Sequence, residues 1–199
     1  MEEPSGSPPS FESLLGQILP GAYRVACPLT GNGADAEDLI QEAALLAFRA
    51  FASFAPGSDF KAWFYKILTN RHYERFRRSA RRPATVALEE ASDLYLYRRT
   101  AEAGLHRGCD DPAALVMSKL TTEQVMAAIA DLPDEFRAVA TLHFVEDMSY
   151  QEMAGVLACP AGTVRSRLHR GRKLLQRRLW TVAQENGIIG ELTARAASA

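Results

Sequence analysis

The sequence has few cysteines and no long apolar run. Its three cysteines, Cys27, Cys109 and Cys159, are widely separated and odd in number. That pattern does not suit a disulfide framework and fits a reducing cytoplasm. No apolar run approaches the ~20 residues that a membrane-spanning helix needs, and the start MEEPSGSPPS lacks the basic and apolar regions of a signal peptide. We therefore expect a cytoplasmic protein with no membrane span of its own.

Patterns that usually carry catalysis or bind metals are also missing. There is no glycine-rich loop of the kind that cradles a phosphate. His72 and His143 lie in helical patterns without a nucleophile as partner. His106 and Cys109 give a weak indication of zinc, but no further ligands accompany them, and a structural zinc site needs a tetrahedral set. We expect no enzymatic activity, no metal and no cofactor.

Net charge is nearly absent, since the formal charge is −1 from 23 Lys and Arg against 24 Asp and Glu. The two signs are nevertheless segregated: basic residues concentrate in 66–82 and 165–178, and acids in 35–42 and 89–111. This arrangement predicts contacts with nucleic acid and with a basic protein surface. Because 47% of the 199 residues are hydrophobic, the chain can bury a real core. No alternating run predicts a strand, so we expect an all-α fold.

Residues 149–178 predict a helix-turn-helix. Ser149 and Glu152 form a capping box that starts its first helix, Pro160 restarts the chain, and Thr163 is read as a cap of the second helix. Seven cations follow with no acid between positions 162 and 178: Arg165, Arg167, Arg170, Arg172, Lys173, Arg177 and Arg178. A solvated face normally mixes both signs, so this run indicates a polyanion partner. The alternative is a merely soluble basic helix.

The helical patterns predict two small domains joined by a flexible linker. The expected divisions are a disordered 1–10, a first domain 11–82, a linker 83–120 with at most transient helix, a second domain 121–180, and a tail 181–199 that packs weakly or frays. In the first domain we expect Pro20 and Gly21 to interrupt the first helix. Trp63 is either a platform for an unstacked base or a core residue, and its apolar neighbours favour the core.

Three motifs in this order resemble a known family. They are DAEDLIQE at 35–42, FKAWFYKILTNR at 60–71 and GTVRSRL at 162–168. Together they resemble the RNA polymerase sigma factors, and more narrowly the extracytoplasmic-function group (group 4) of the sigma-70 family. The resemblance covers 11–82, as sigma region 2, and 121–180, as sigma region 4.

The resemblance implies roles for particular residues. Asp38, Gln41 and Glu42 match the helix that docks on core polymerase, and acid and amide groups suit a basic surface. A second set matches or extends the helix that reads and melts the minus-ten element: Lys66, Asn70, Arg71, Arg75, Arg77 and Arg78. The loop 53–60 matches the segment that captures a flipped base. Positions on the helix that reads the minus-thirty-five element are Arg165, Ser166, Arg167, His169, Arg170 and Lys173.

The implied partners are core RNA polymerase, through its β′ clamp and β flap, promoter DNA, and an anti-sigma factor. Two other functions remain open at this point. A stand-alone helix-turn-helix regulator needs only residues 121–180 and leaves the first half unexplained. A sigma mimic that sequesters an anti-sigma factor does not need both arginine-rich faces.

Overall fold

In the computed structural model, which describes residues 9–55, 57–79, 94–105 and 111–198, the chain is built of α-helices, and no strand occurs in those ranges. The all-α prediction is therefore confirmed. The helices are α1 (Phe11–Thr30), α2 (Gly33–Ala50), α3 (Phe60–Ser79), α4 (Tyr95–Glu102), α5 (Pro112–Met117), α6 (Thr122–Ala130), α7 (Asp134–Phe144), α8 (Tyr150–Val156), α9 (Ala161–Glu185) and α10 (Ile188–Ser198).

Several predictions fall outside the described residues. They are the disorder of residues 1–8, the side chain of Arg78, and the pair His106 and Cys109.

Helix α1 corrects the prediction of an interruption at Pro20 and Gly21, because it is continuous from Phe11 to Thr30. Residues on both sides of the proline, Phe11 before it and Val25 after it, are buried in one core. Tertiary packing of this kind outweighs local propensity. The helix ends at Gly31, whose N–H donates to the Cys27 carbonyl at 2.8 Å and whose positive φ of 84° turns the chain out of the helix.

The helix-turn-helix forms as predicted. The Ser149 hydroxyl accepts from the Glu152 N–H at 3.3 Å, and the Glu152 carboxylate accepts from the Ser149 N–H at 2.7 Å, which confirms the capping box. The reading of Thr163 as a cap is wrong. The N-cap of α9 is Pro160, and Thr163 already lies within the first helical turn.

The segments on either side of the second domain are more ordered than predicted. Helices α4 and α5 lie where at most transient helix was expected, and the tail forms the end of α9 and all of α10. Their buried residues make a small separate core, which consists of Leu105, Val116, Ala183 and Leu192. The Arg99 guanidinium lies 5.5 Å from the Trp180 ring and fastens α4 to α9. Linker and tail therefore stabilise each other.

The main core belongs to both predicted domains. It joins Val25, Leu29 and Phe64 of α1 and α3 with Leu142 and Met153 of the second domain. Across this boundary α1 packs on α6 and α7, and α3 packs on α8. The two domains are thus closed against each other in this structure.

Candidate polymerase and DNA interfaces

The outer face of α2 presents the residues matched to polymerase docking. Asp38 and Gln41 are exposed, while Leu39 and Ala43 on the opposite face are fully buried. One turn beyond Gln41, Leu45 is 60% exposed and continues the same face. This face can therefore bind a partner with hydrogen bonds, negative charge and apolar contact at once.

Glu42 is oriented differently from the other two. Its carboxylate accepts from Nε of Arg71 at 2.7 Å, and Arg71 also contacts Glu74 at 3.2 Å. The hydrogen bond to Glu42 is the main cause that raises the pKa of Arg71. A residue matched to polymerase docking and a residue matched to the minus-ten element are thus joined to each other across α2 and α3.

The other matched residues of α3 differ in exposure. Lys66, Asn70 and Arg77 are exposed. Arg75 is half-buried, and its buried Nη1 finds no hydrogen-bond acceptor among the described residues. The exposed set gives α3 a positive outer face that suits phosphate contacts.

Trp63 and the loop before α3 form an aromatic cluster. The ring of Trp63 lies 5.2 Å from that of Phe54 and 5.6 Å from that of Phe60, measured between centroids. Trp63 is partly buried against the main core, so its packing agrees with the core reading. Ser58 and Asp59 at the end of the loop are exposed, and Asp59 accepts from the Ala62 N–H at 3.1 Å.

Helix α9 exposes its first turns. Arg165, Ser166, His169 and Arg170 are exposed, whereas Arg167 and Lys173 are half-buried. The opposite face packs tightly on α7: a Cβ added at Gly171 would lie 3.1 Å from Cβ of Phe136. The helix is therefore held with its polar N-terminal half toward solvent, as a recognition helix requires.

The last cations of the basic run have structural partners. Arg178 donates from Nε to Asp131 at 2.7 Å, and the Arg177 guanidinium lies 5.6 Å from the Tyr95 ring. These two residues join α9 to the neighbouring segments. The polyanion partner of the rest of the run stays a prediction.

A cluster around Glu146 was missed in the sequence. This carboxylate, in the turn between α7 and α8, is 2% exposed. It accepts from Nη2 of Arg24 at 2.9 Å, from Nζ of Lys61 at 2.7 Å and from the Tyr65 hydroxyl at 2.9 Å. Burial alone raises the pKa of Glu146, but the hydrogen bonds from Lys61 and Tyr65 and the two cations outweigh it, so the pKa lies below its usual value.

No local sequence pattern marks this cluster, because the three partners of Glu146 lie 81 to 122 residues before it in the chain. An acid in a turn is normally solvated. We call the arrangement of Glu146 with Arg24, Lys61 and Tyr65 the Glu146 contact.

A second polar group crosses the same boundary. His72 is 8% exposed, and burial lowers its pKa, with Asp134 opposing and Arg137 and Arg75 reinforcing that shift. Burial likewise raises the pKa of the neighbouring Tyr73, and the nearby charge of Arg167 opposes the rise.

Within the described ranges, no helix is both long and apolar enough to cross a membrane. The same part of the chain holds no group of three or more histidine, cysteine or acidic side chains placed to bind a metal.

The two helical units, one with an exposed polar helix face and one with a helix-turn-helix, belong to the class of RNA polymerase sigma subunits, as two family models show. A model of Sigma-70 region 2 matches residues 14–82, and a model of Sigma-70, region 4 matches residues 122–175. The chain belongs to the extracytoplasmic-function (ECF) group of the sigma-70 family.

Relatives in the group are similar over most of this chain. The ECF RNA polymerase sigma factor SigE of Mycolicibacterium smegmatis is 36% identical, over 84% of this chain and 61% of its own length. SigW of Bacillus subtilis is 30% identical, over 87% of this chain and 91% of its own length. The chain thus spans about three fifths of the first relative and nearly all of the second.

Solved structures agree in fold. The sigma factor RpoE of Bartonella quintana, in complex with the anti-sigma factor NepR, superposes with a TM-score of 0.61 at 27% identity, over 85% of this chain and 96% of that one. CnrH in complex with the cytosolic domain of CnrY gives a TM-score of 0.51 at 23% identity, over 87% of this chain and 89% of that one, a likeness of fold alone.

Proposed function

We propose that this chain is a dissociable sigma subunit that directs core RNA polymerase to specific promoters from the cytoplasm, without enzymatic activity of its own. Residues 11–82 act as region 2 and 121–180 as region 4. The observation that carries the proposal is the pair of separate faces on one chain: an exposed Asp38–Gln41–Leu45 face for a protein, and two basic helices for DNA.

The docking face of α2 binds the β′ clamp, and region 4 binds the β flap. Asp38 and Gln41 supply the charge and hydrogen bonds, and Leu45 supplies apolar burial. Glu42 acts less directly, since it holds Arg71 on α3.

DNA is read by two helices. Lys66, Asn70 and Arg77 on α3 meet the minus-ten element, with Arg71 and Arg75 beside them, while the exposed N-terminal half of α9 meets the minus-thirty-five element in the major groove. Tethering two modest binding modules raises their effective concentration on one promoter. An anti-sigma factor is a further expected partner, because the sigma factor RpoE of Bartonella quintana was solved in complex with the anti-sigma factor NepR.

The test is transcription with purified bacterial core polymerase on a library of random upstream sequences, followed by sequencing of the transcripts. We expect transcripts that need both this chain and core polymerase and that share one two-part upstream motif. A folded chain that binds duplex DNA but neither binds core polymerase nor starts transcripts would instead identify a stand-alone regulator. Binding to an anti-sigma factor without DNA binding or transcription would identify a sigma mimic.

A further inference from the structure

The closed arrangement cannot serve both promoter elements. Centres named minus-ten and minus-thirty-five differ by about 25 base pairs, which at about 3.4 Å each is roughly 85 Å along the duplex. Yet α3 packs directly on α8 of the helix-turn-helix, and the two domains share one core. Arg75 and Arg167, both matched to DNA contacts, are half-buried here. The two domains must separate before the chain can occupy a whole promoter.

The buried negative charge of Glu146 is stabilised by residues of the first domain, so it depends on the closure of the two domains. Arg24 and Lys61 keep 54% and 39% of their side chains exposed and so retain water, whereas Glu146 is 2% exposed. Glu146 therefore relies on its three partners in region 2 for solvation. The ion pairs themselves contribute little net stability, but truncation of Glu146 would leave the hydroxyl of the fully buried Tyr65 without its acceptor in the closed state, which is costly.

Gly21 makes the close approach possible. A Cβ at this position would lie 2.6 Å from the Tyr65 hydroxyl and 3.1 and 3.3 Å from the two carboxylate oxygens of Glu146. A side chain here would displace the Tyr65 hydroxyl together with its hydrogen bond. Within a helix, alanine is otherwise preferred to glycine, so the need for glycine at position 21 comes from the Glu146 contact.

We propose that the Glu146 contact is an autoinhibitory latch, which keeps the free chain closed until core polymerase binds. The inference rests on the proposed function. The docking residues Asp38 and Gln41 are exposed in the closed state, so polymerase can engage α2 first. Region 4 then leaves region 2, Glu146 becomes hydrated, and the half-buried cations of α3 and α9 become available to DNA.

The test compares Glu146→Ala, Glu146→Gln and Gly21→Ala with the wild type, using the full chain. Asp147→Asn is the matched control, since it removes one acid from the adjacent, exposed position, and asparagine tolerates the positive φ of 52° found there. Gly21→Ala keeps every charge, and it decides the question if Glu146→Ala does not fold. Circular dichroism checks the helix content of each variant.

Two readouts follow on the free proteins: the radius of gyration by small-angle X-ray scattering, and the affinity for a short duplex of arbitrary sequence. We expect Glu146→Ala and Gly21→Ala to be expanded and to bind the duplex about tenfold more tightly, because the open fraction rises. In both readouts Glu146→Gln should lie between the wild type and Glu146→Ala, and Asp147→Asn should match the wild type.

Three results would overturn the latch: a wild type that is already expanded, folded Glu146→Ala and Gly21→Ala chains that match the wild type, or the same gain in Asp147→Asn. Core binding by the wild type is measured separately. Its absence would contradict the proposed function, while the scattering data still decide whether the latch exists.

Discussion

The basic helices α3 and α9 look alike in sequence but differ in how their cations are used. On α3, Arg71 is held by Glu42 and Glu74, and Arg75 is half-buried. On the first half of α9, Arg165 and Arg170 are exposed with no acid on the same helix before Glu185. A density of positive charge therefore does not by itself identify a DNA-reading face. Glu42 on α2 and Glu74 on α3 itself both pair with Arg71, so nearby acids set how many cations a basic helix can offer to a polyanion.

The largest effect is expected from α9. Replacing Arg165 and Arg170 together by alanine should lower promoter-dependent transcription by about a hundredfold, since each good base contact is worth about 1–3 kcal/mol. Run-off transcription from a selected promoter measures this. The control is Arg98→Ala with Arg195→Ala, two exposed arginines on α4 and α10. An equal loss in the control would mean that general charge, rather than the recognition face, is responsible.

A smaller effect is expected from the exposed cations of α3. Lys66→Ala with Arg77→Ala should weaken promoter binding by the polymerase complex several-fold. Each phosphate interaction that the substitutions remove should also lower the slope of log K against log salt by roughly one. A salt titration of binding measures both quantities. An unchanged slope would show that these residues do not bind phosphate.

Acidification should open the closed chain to a lesser degree. Burial lowers the pKa of His72, so closure favours the neutral imidazole. Its contribution is fully present above the ordinary His pKa of about 6.5 and is lost as pH falls through the lowered value. The radius of gyration should therefore rise on mild acidification, and less so in His72→Gln. Glu146, whose pKa is also lowered, acts only at more acidic pH, below the usual range for Glu.

The smallest effect is expected for the ion pair between Glu42 of α2 and Arg71 of α3. Glu42→Gln, Arg71→Ala and the double variant form a thermodynamic cycle for unfolding. Because Glu42 keeps 39% of its side chain exposed, solvent screens the pair, and the coupling free energy between Glu42 and Arg71 should be small and close to the error of the measurement. Urea denaturation measures it. A large coupling free energy would contradict this screening.

What the sequence could predict was set by local or periodic signals. The capping box of Ser149 and Glu152 and the restart of the chain at Pro160 follow from local residue patterns, and the DAEDLIQE motif marked Asp38 and Gln41. These features locate the helix-turn-helix of α8 and α9 and the docking face of α2. The roles of the matched residues in binding remain predictions.

What it could not predict depends on residues far apart in the chain. Gly21 reads as a helix breaker, yet it is needed for the approach of Glu146. Helices α4 and α10 both pack on α9, and no local signal marks that packing. Similarly, Arg177 and Arg178 look like DNA contacts until Tyr95 and Asp131 are placed beside them.

The central claim is that α2 docks this chain on polymerase, and equilibrium binding of the full chain to core RNA polymerase tests it most directly. Asp38→Arg with Gln41→Ala places a like charge against a basic surface and removes a hydrogen-bonding group. The control, Glu12→Arg with Gln17→Ala, makes the same changes at exposed positions of α1. We predict that the wild type and the control bind and that the α2 variant does not. Equal binding by all three, or by none, would contradict the account.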